Sequence, residues 1–294
     1  MTGPAPARRA TPRPVFDRPT VIRRRNTAHH VWGDTESGLV TDRVYVSSDT
    51  LHVLEFELGP GGSFRHSETN KTVFAADIMY CVLEGTLVIA DPQHGEVQVV
   101  EAGEQVLFGR DTWHHGFNPS SGPLRVVEFF APPPSRGTAS TYARTQPGLE
   151  ETRYQDGRWA NRWPDAAAEQ QQVSRLRVVR DADALWSFAG NVPTHLAGTL
   201  ADTPFLTVRQ GRVAAGHVED LRKVEDESLL LVTEGELWAD TKDEASAEFA
   251  PACLSVGDAV FVPRNSQLRV LVRGGHPARY VMGSARPVPE GWTP

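Results

Sequence analysis

DIMYCVLEGTLVIAD, residues 77–91, is the stretch whose reading decides the fold. A run rich in β-branched, aromatic and aliphatic residues stops at Glu84-Gly85, and a second run follows at once. Six to eight residues closed by a glycine are the length and composition of a strand, a sharp corner and another strand. The second half of the chain carries the same pattern as VTEGELWAD, residues 232–240. The agreement extends in both directions. AGEQVLFGRDTWH, residues 102–114, matches VGDAVFVPRNSQL, residues 256–268, and His66-Ser67-Glu68 matches His217-Val218-Glu219. His66 lies 19 residues before Gly85, and His217 lies 18 before Gly235. Such self-similarity is the mark of an internal duplication.

Around these stretches, short alternating runs are punctuated by glycine and proline from about residue 40, as expected of an all-β sandwich or barrel. The pattern stops at APPPSRGTAS, residues 131–140, and resumes after residue 174. The polar stretch between is expected to be a linker, with a helix around Asp165 to Gln172 and with Trp159 and Trp163 pinning it to a domain surface. DADALWSFAG, residues 181–190, reads as a short helix or turn. The expected divisions are a disordered tail over 1–25, a first barrel over 26–134, a linker over 135–175 and a second barrel over 176–288.

Bulk properties exclude several classes. A net charge of -7 gives no support to nucleic-acid binding, and the one basic cluster, Arg23 to Arg25, reads as a solvated segment. Two cysteines, Cys81 and Cys253, make no disulfide framework and read as buried thiols of a reducing compartment. No apolar run approaches the roughly 20 residues that span a membrane. The first residues, rich in proline and arginine, lack the apolar core of a signal peptide, so the expected location is cytoplasmic. P-loop, G-x-S-x-G and H-E-x-x-H motifs are absent from the sequence.

The duplicated unit resembles the cupin superfamily, in its two-barrel bicupin form. PGGSFRHSETNKTVFAADIMYCVLEG follows the family's first motif and GEQVLFGRDTWHHGFN its second. Counted from Gly103, the family proline falls on Gly109, its glycine on Asp111, its histidine on His114 and its asparagine on Asn118. There are departures. Glu68 stands where the second histidine of H-x-H is usual, and Ile78 stands at the motif glutamate. The resemblance implies an all-β chain of two tandem cupin-type β-barrels, of the double-stranded β-helix or jelly-roll kind, joined by a polar linker.

On a strand, His66 and Glu68 share a face. The resemblance brings His114 to the same spot, giving a divalent metal site of two histidines and one carboxylate. That set points first to Fe(II), with Zn(II) or Mn(II) able to share it. Asp77 and His115 are weaker candidate ligands. Tyr80, on the inward face with Ile78 and Val82, is the candidate catalytic residue, and His52 is a further pocket candidate. Asn118 is expected to cap a turn or orient His114. The second barrel, with Leu268 at the histidine position, lacks a third ligand and is expected to be structural, covering strand edges. The function expected is a non-haem Fe(II) oxygenase acting on a small organic molecule. The alternatives are a non-redox isomerase, lyase or decarboxylase at the same site, or a non-catalytic small-molecule-binding bicupin. No nucleic-acid or membrane partner is expected, and a homodimer is a family-level expectation.

Overall fold

The computed structural model of the chain describes residues 10–245 and 248–294. Each half forms one seven-stranded and one four-stranded antiparallel sheet. In the first, the large sheet runs Arg177–Val179, Gln105–Phe108, Asp77–Glu84, Leu124–Ala131, His52–Leu58, Gly38–Ser47, Ala28–Asp34. Its small sheet runs Ser63–Phe64, His115–Phe117, Thr86–Asp91, Glu96–Glu101. The second half repeats the plan. Its large sheet is Thr20–Ile22, Ala259–Val262, Glu227–Glu234, Ala278–Ala285, Leu206–Val213, His195–Asp202, Leu185–Phe188. Its small sheet is Arg222–Lys223, Gln267–Leu271, Glu236–Lys242, Ala250–Ser255.

The glycine shared by the two repeats stands where the chain leaves the large sheet for the small one. Gly85 and Gly235 have φ of 80° and 74°. A Cβ there would lie 2.6 Å from the Pro123 carbonyl oxygen, or 2.4 Å from that of Pro277. Both the left-handed backbone and the close approach require glycine.

Strand Asp77–Glu84 is apolar almost throughout because both of its faces are buried. Ile78, Tyr80 and Val82 point into the first barrel, whereas Met79 and Cys81 join a core shared with the second. Leu124–Ala131 divides in the same way: Val126 and Phe130 point inward, and Val127, Phe129 and Ala131 face the other barrel. Against them lie Leu206, Val208, Leu229, Leu231, Phe261 and Val281. The barrels therefore pack through the faces of their large sheets. A Cβ on Gly283 would lie 2.1 Å from the Phe129 ring.

The halves also exchange edge strands. Thr20–Ile22, which precedes the first barrel in the chain, pairs with Ala259–Val262 of the second. Arg177–Val179, which precedes the second, pairs with Gln105–Phe108 of the first. Two sequence expectations are corrected here. Within the described part of the tail, Thr20–Ile22 forms a strand, because Val21 and Ile22 pack on the apolar cores of the second barrel and the interface. Residues 177–179, assigned by sequence to the second barrel, belong to the first barrel's sheet. Residues 1–9 of the expected tail lie outside the described residues.

Two short helices, Ser140–Thr145 and Asp165–Val173, occupy the linker. Trp163 is 81% exposed and pins nothing. Leu185–Phe188, expected as a helix or turn, is a strand. Among the described residues no helix is long and apolar enough to cross a membrane.

Candidate active site

Five large-sheet strands place side chains in a cavity of about 150 Å³ inside the first barrel, with His30 and Trp32 from Ala28–Asp34 and Val40 and Asp42 from Gly38–Ser47. His52 and Leu54 come from His52–Leu58, Tyr80 from Asp77–Glu84, and Glu128 and Phe130 from Leu124–Ala131. Glu128 lies directly opposite both Leu54 and Tyr80 in the ladders. His114 enters from the loop before His115–Phe117. Phe56, Phe64 and Phe74 supply apolar wall.

The polar groups are ordered by their hydrogen bonds. His114 Nδ1 donates to the Thr112 carbonyl at 3.2 Å, which leaves Nε2 as the bare basic atom facing Tyr80 Oη at 3.3 Å. Tyr80 also lies directly opposite Glu128, and the two side chains influence each other's titration. Burial pushes the Glu128 carboxyl up to about 8, with the nearby Asp42 charge adding to it. Burial pushes His114 and His52 down to about 4. At neutral pH the cavity thus holds a protonated carboxylic acid beside neutral imidazoles. His52 Nδ1 is buried without a hydrogen-bond partner. His30 Nδ1 lies 3.0 Å from Asp42 Oδ2 at the wall. Asp42 itself is raised by its burial.

These shifts have a measurable consequence. The unfolded chain ionises Glu128 near the ordinary glutamate value, but the folded chain keeps its proton until about pH 8. Stability linked to Glu128 is therefore complete at low pH and lost as pH rises to about 8. The histidines run the opposite way, but their contribution ends near the ordinary imidazole value. Between about pH 6.5 and 8 wild type is expected to lose up to about 2 kcal/mol relative to Glu128→Gln. Urea unfolding of both proteins across that range checks this.

The expected metal triad is not assembled. The strand that would carry His66 and Glu68 ends at Phe64. Beyond it, the Ser67 N–H donates to the Asn70 carbonyl at 2.7 Å, and the Asn70 N–H donates to Ser67 Oγ at 3.1 Å. The i, i+2 rule does not hold in this turn, and Glu68 points to solvent. His66 turns to His115, with its Nδ1 at 2.6 Å and its backbone N–H at 3.1 Å from His115 Nε2. The other nitrogen of His115 contacts Tyr154 Oη at 2.9 Å, so both of its nitrogens are engaged. Among the described residues, His66, Glu68 and His114 do not form a group of mutually close ligand atoms, with or without Asp77 or His115. Asp77 instead contacts Thr203 of the second barrel. The first barrel's residues therefore do not fit the expected Fe(II), Zn(II) or Mn(II) centre. Asn118 caps a turn, its Nδ2 donating to the carbonyls of Leu58, Gly59 and Gly122 at 2.9–3.0 Å.

In the second barrel the His-x-Glu alternation does hold. Val218 bridges to Leu271, so this segment is extended, with His217 and Glu219 buried and Val218 64% exposed between them. A third donor arrives from outside the repeat motif. His195, at the start of His195–Asp202, places Nδ1 3.0 Å from Glu219 Oε2. The expectation of only two donors in this barrel is corrected accordingly.

Residues 54–130 match the family model described as a cupin domain, and the second half repeats that sheet plan. The chain therefore carries a cupin domain in its first half and has a bicupin-like, two-barrel architecture. The left-handed turn at the family glycine is kept in both repeats by other residues, Asp111 with φ 64° and Asn265 with φ 71°. Among solved structures, the chain resembles a putative glyoxylate-induced protein from Pseudomonas aeruginosa at 15% identity and TM-score 0.63, over 98% of this chain and 96% of that one. It resembles the oxalate decarboxylase of Lactobacillus farciminis, solved with formate, at 10% identity and TM-score 0.60, over 96% and 88%. It also resembles the 7S globulin of Momordica charantia at 12% identity and TM-score 0.56, over 87% and 81%. No curated protein sequence matches the chain. Likeness at such identities establishes a shared fold and leaves the chemistry to the site.

Proposed function

We propose that the first barrel is a non-redox proton-transfer site for one small, largely apolar molecule. The observation that supports this most is the placement of Glu128 inside an aromatic cavity, directly opposite Tyr80, whose phenol oxygen lies 3.3 Å from His114 Nε2. A cavity of about 150 Å³ suits a molecule of single-ring size. For a ring ketone the steps follow from the protonation states. His114 Nε2 takes the proton from the carbon beside the carbonyl while Glu128 or Tyr80 donates to the carbonyl oxygen. The enol that forms is then reprotonated in the reverse sense. Tyr80 lies next to both acid and base, and the phenylalanine walls exclude water.

The oxygenase alternative requires His66, Glu68 and His114 on one ion, and a turn that leaves Glu68 exposed lends it less support. A non-catalytic binding role draws support from the apolar walls alone. Deuterium distinguishes the proton-transfer and binding readings. A panel of small cyclic ketones and phenols is first screened for binding by protein-observed NMR, and the binders are then incubated with the protein in D₂O. Enzyme-dependent exchange at the carbon beside the carbonyl supports proton transfer; saturable binding without exchange supports the binding role. Absence of any binder in the cavity contradicts both.

A further inference from the structure

We propose that the second barrel binds a divalent first-row transition-metal ion through His195 Nδ1, His217 Nε2 and Glu219 Oε2. These atoms lie within 4.8 Å of one another, and all three residues are buried. Two imidazoles and one carboxylate suit zinc, iron or cobalt. The site is independent of the chemistry proposed for the first barrel.

The hydrogen bonds outside the triad orient its atoms inward. Thr194 Oγ1 lies 2.7 Å from His217 Nδ1 and is placed to accept a hydrogen bond from it, the tautomer that leaves Nε2 as a lone pair. His217 Nε2 is buried, has no hydrogen bond and faces Glu219 Oε2 at 3.5 Å. A lone pair aimed at a carboxylate oxygen in a buried space calls for a cation between them. His195 Nε2 lies 2.8 Å from Tyr280 Oη, so a proton on Nε2 leaves Nδ1 free to ligate. Outer contacts of this kind fix the tautomer of metal-binding histidines. Glu219 Oε1 accepts the Val270 N–H at 3.2 Å, which holds the carboxylate in place. Arg222 Nη2 lies 2.8 Å from Glu219 Oε2 and shares that oxygen with the ion.

The donor from strand His195–Asp202 stands in for the one that Leu268 does not provide. His195 and Glu219 also line a cavity of about 480 Å³ with Arg209, Arg222 and Lys223 on its wall, alongside Glu225 and Asp226. An ion here keeps a coordination position open to water or a small anion.

The test uses the full chain, stripped with chelator and dialysed, then titrated with Co(II) followed by visible absorption and with Zn(II) followed by calorimetry. Wild type is expected to bind one equivalent with ligand-field bands of a nitrogen and oxygen site. Loss of one outer contact costs 10–100-fold in affinity, so His217→Ala and His195→Ala are each expected to lose roughly 100-fold or more. His66→Ala and Glu68→Ala are expected to bind as wild type does. Circular dichroism establishes that each variant is folded. If either alanine variant is not, Glu219→Gln, which keeps shape and the Val270 contact, decides with a loss of at least roughly tenfold. The proposal is overturned by no saturable binding to wild type, by undiminished affinity in the folded triad variants, or by a loss confined to the first-barrel variants.

Discussion

A Glu128→Gln variant is expected to exchange deuterium into a bound ring ketone roughly 10²–10⁴-fold more slowly than wild type, the usual contribution of a positioned acid. Glutamine keeps the volume of the side chain, so the fold and the cavity survive. What it removes is the transferable proton. The wild-type exchange rate is expected to be bell-shaped in pH. It falls below about 4, where His114 gains a proton, and above about 8, where Glu128 loses one. Glu128→Gln should lose the upper limb and retain the lower. Proton NMR time courses in buffered D₂O measure both. Equal rates in the two proteins would remove Glu128 from the reaction.

The second large effect lies between the barrels. Glu55 is 1% exposed, and its carboxylate is held by Arg24 Nε and Nη2 at 3.0 and 2.6 Å and by Arg125 Nε at 2.9 Å. Burial alone would raise the carboxyl; the two guanidinium groups more than offset it, and Glu55 is held below its ordinary value. Replacing both arginines by alanine leaves an unpaired charge in the interior. The expected loss is about 3–5 kcal/mol, the cost of breaking a buried ion pair from one side. Adding Glu55→Gln to that double variant should recover part of the loss. Urea unfolding of the two variants measures both numbers, and a loss below about 1 kcal/mol would show that water reaches Glu55.

The sequence revealed the duplication through residues with no substitute. Gly85 and Gly235 each occupy a left-handed corner against a carbonyl oxygen, and so the same letters recur in both repeats. Strand alternation correctly placed His52 and Tyr80 on an inward face. Glu128 was equally legible in LRVVEFFA, where it stands in phase with Val126 and Phe130, but motif counting drew attention elsewhere. The expected triad failed because SETN forms a turn, and that choice depends on contacts far away in sequence. Asn70, for example, is held by Asp34 Oδ2 at 2.6 Å and Ser37 Oγ at 3.1 Å. His195 lies outside every motif, and only the pairing of His195 with Val213 brings it near Glu219. The strand exchange was invisible for a similar reason: TVI and RVV are too short to declare a partner.

The most direct test of the central claim is the titration of the Glu128 carboxyl itself. Protein carrying ¹³C-labelled glutamate, with Glu128→Gln for assignment, gives its carboxyl shift as a function of pH. A midpoint near 8 is the result predicted for an acid enclosed with Tyr80 in the barrel. A midpoint near 4, the range of a solvated glutamate, would contradict it.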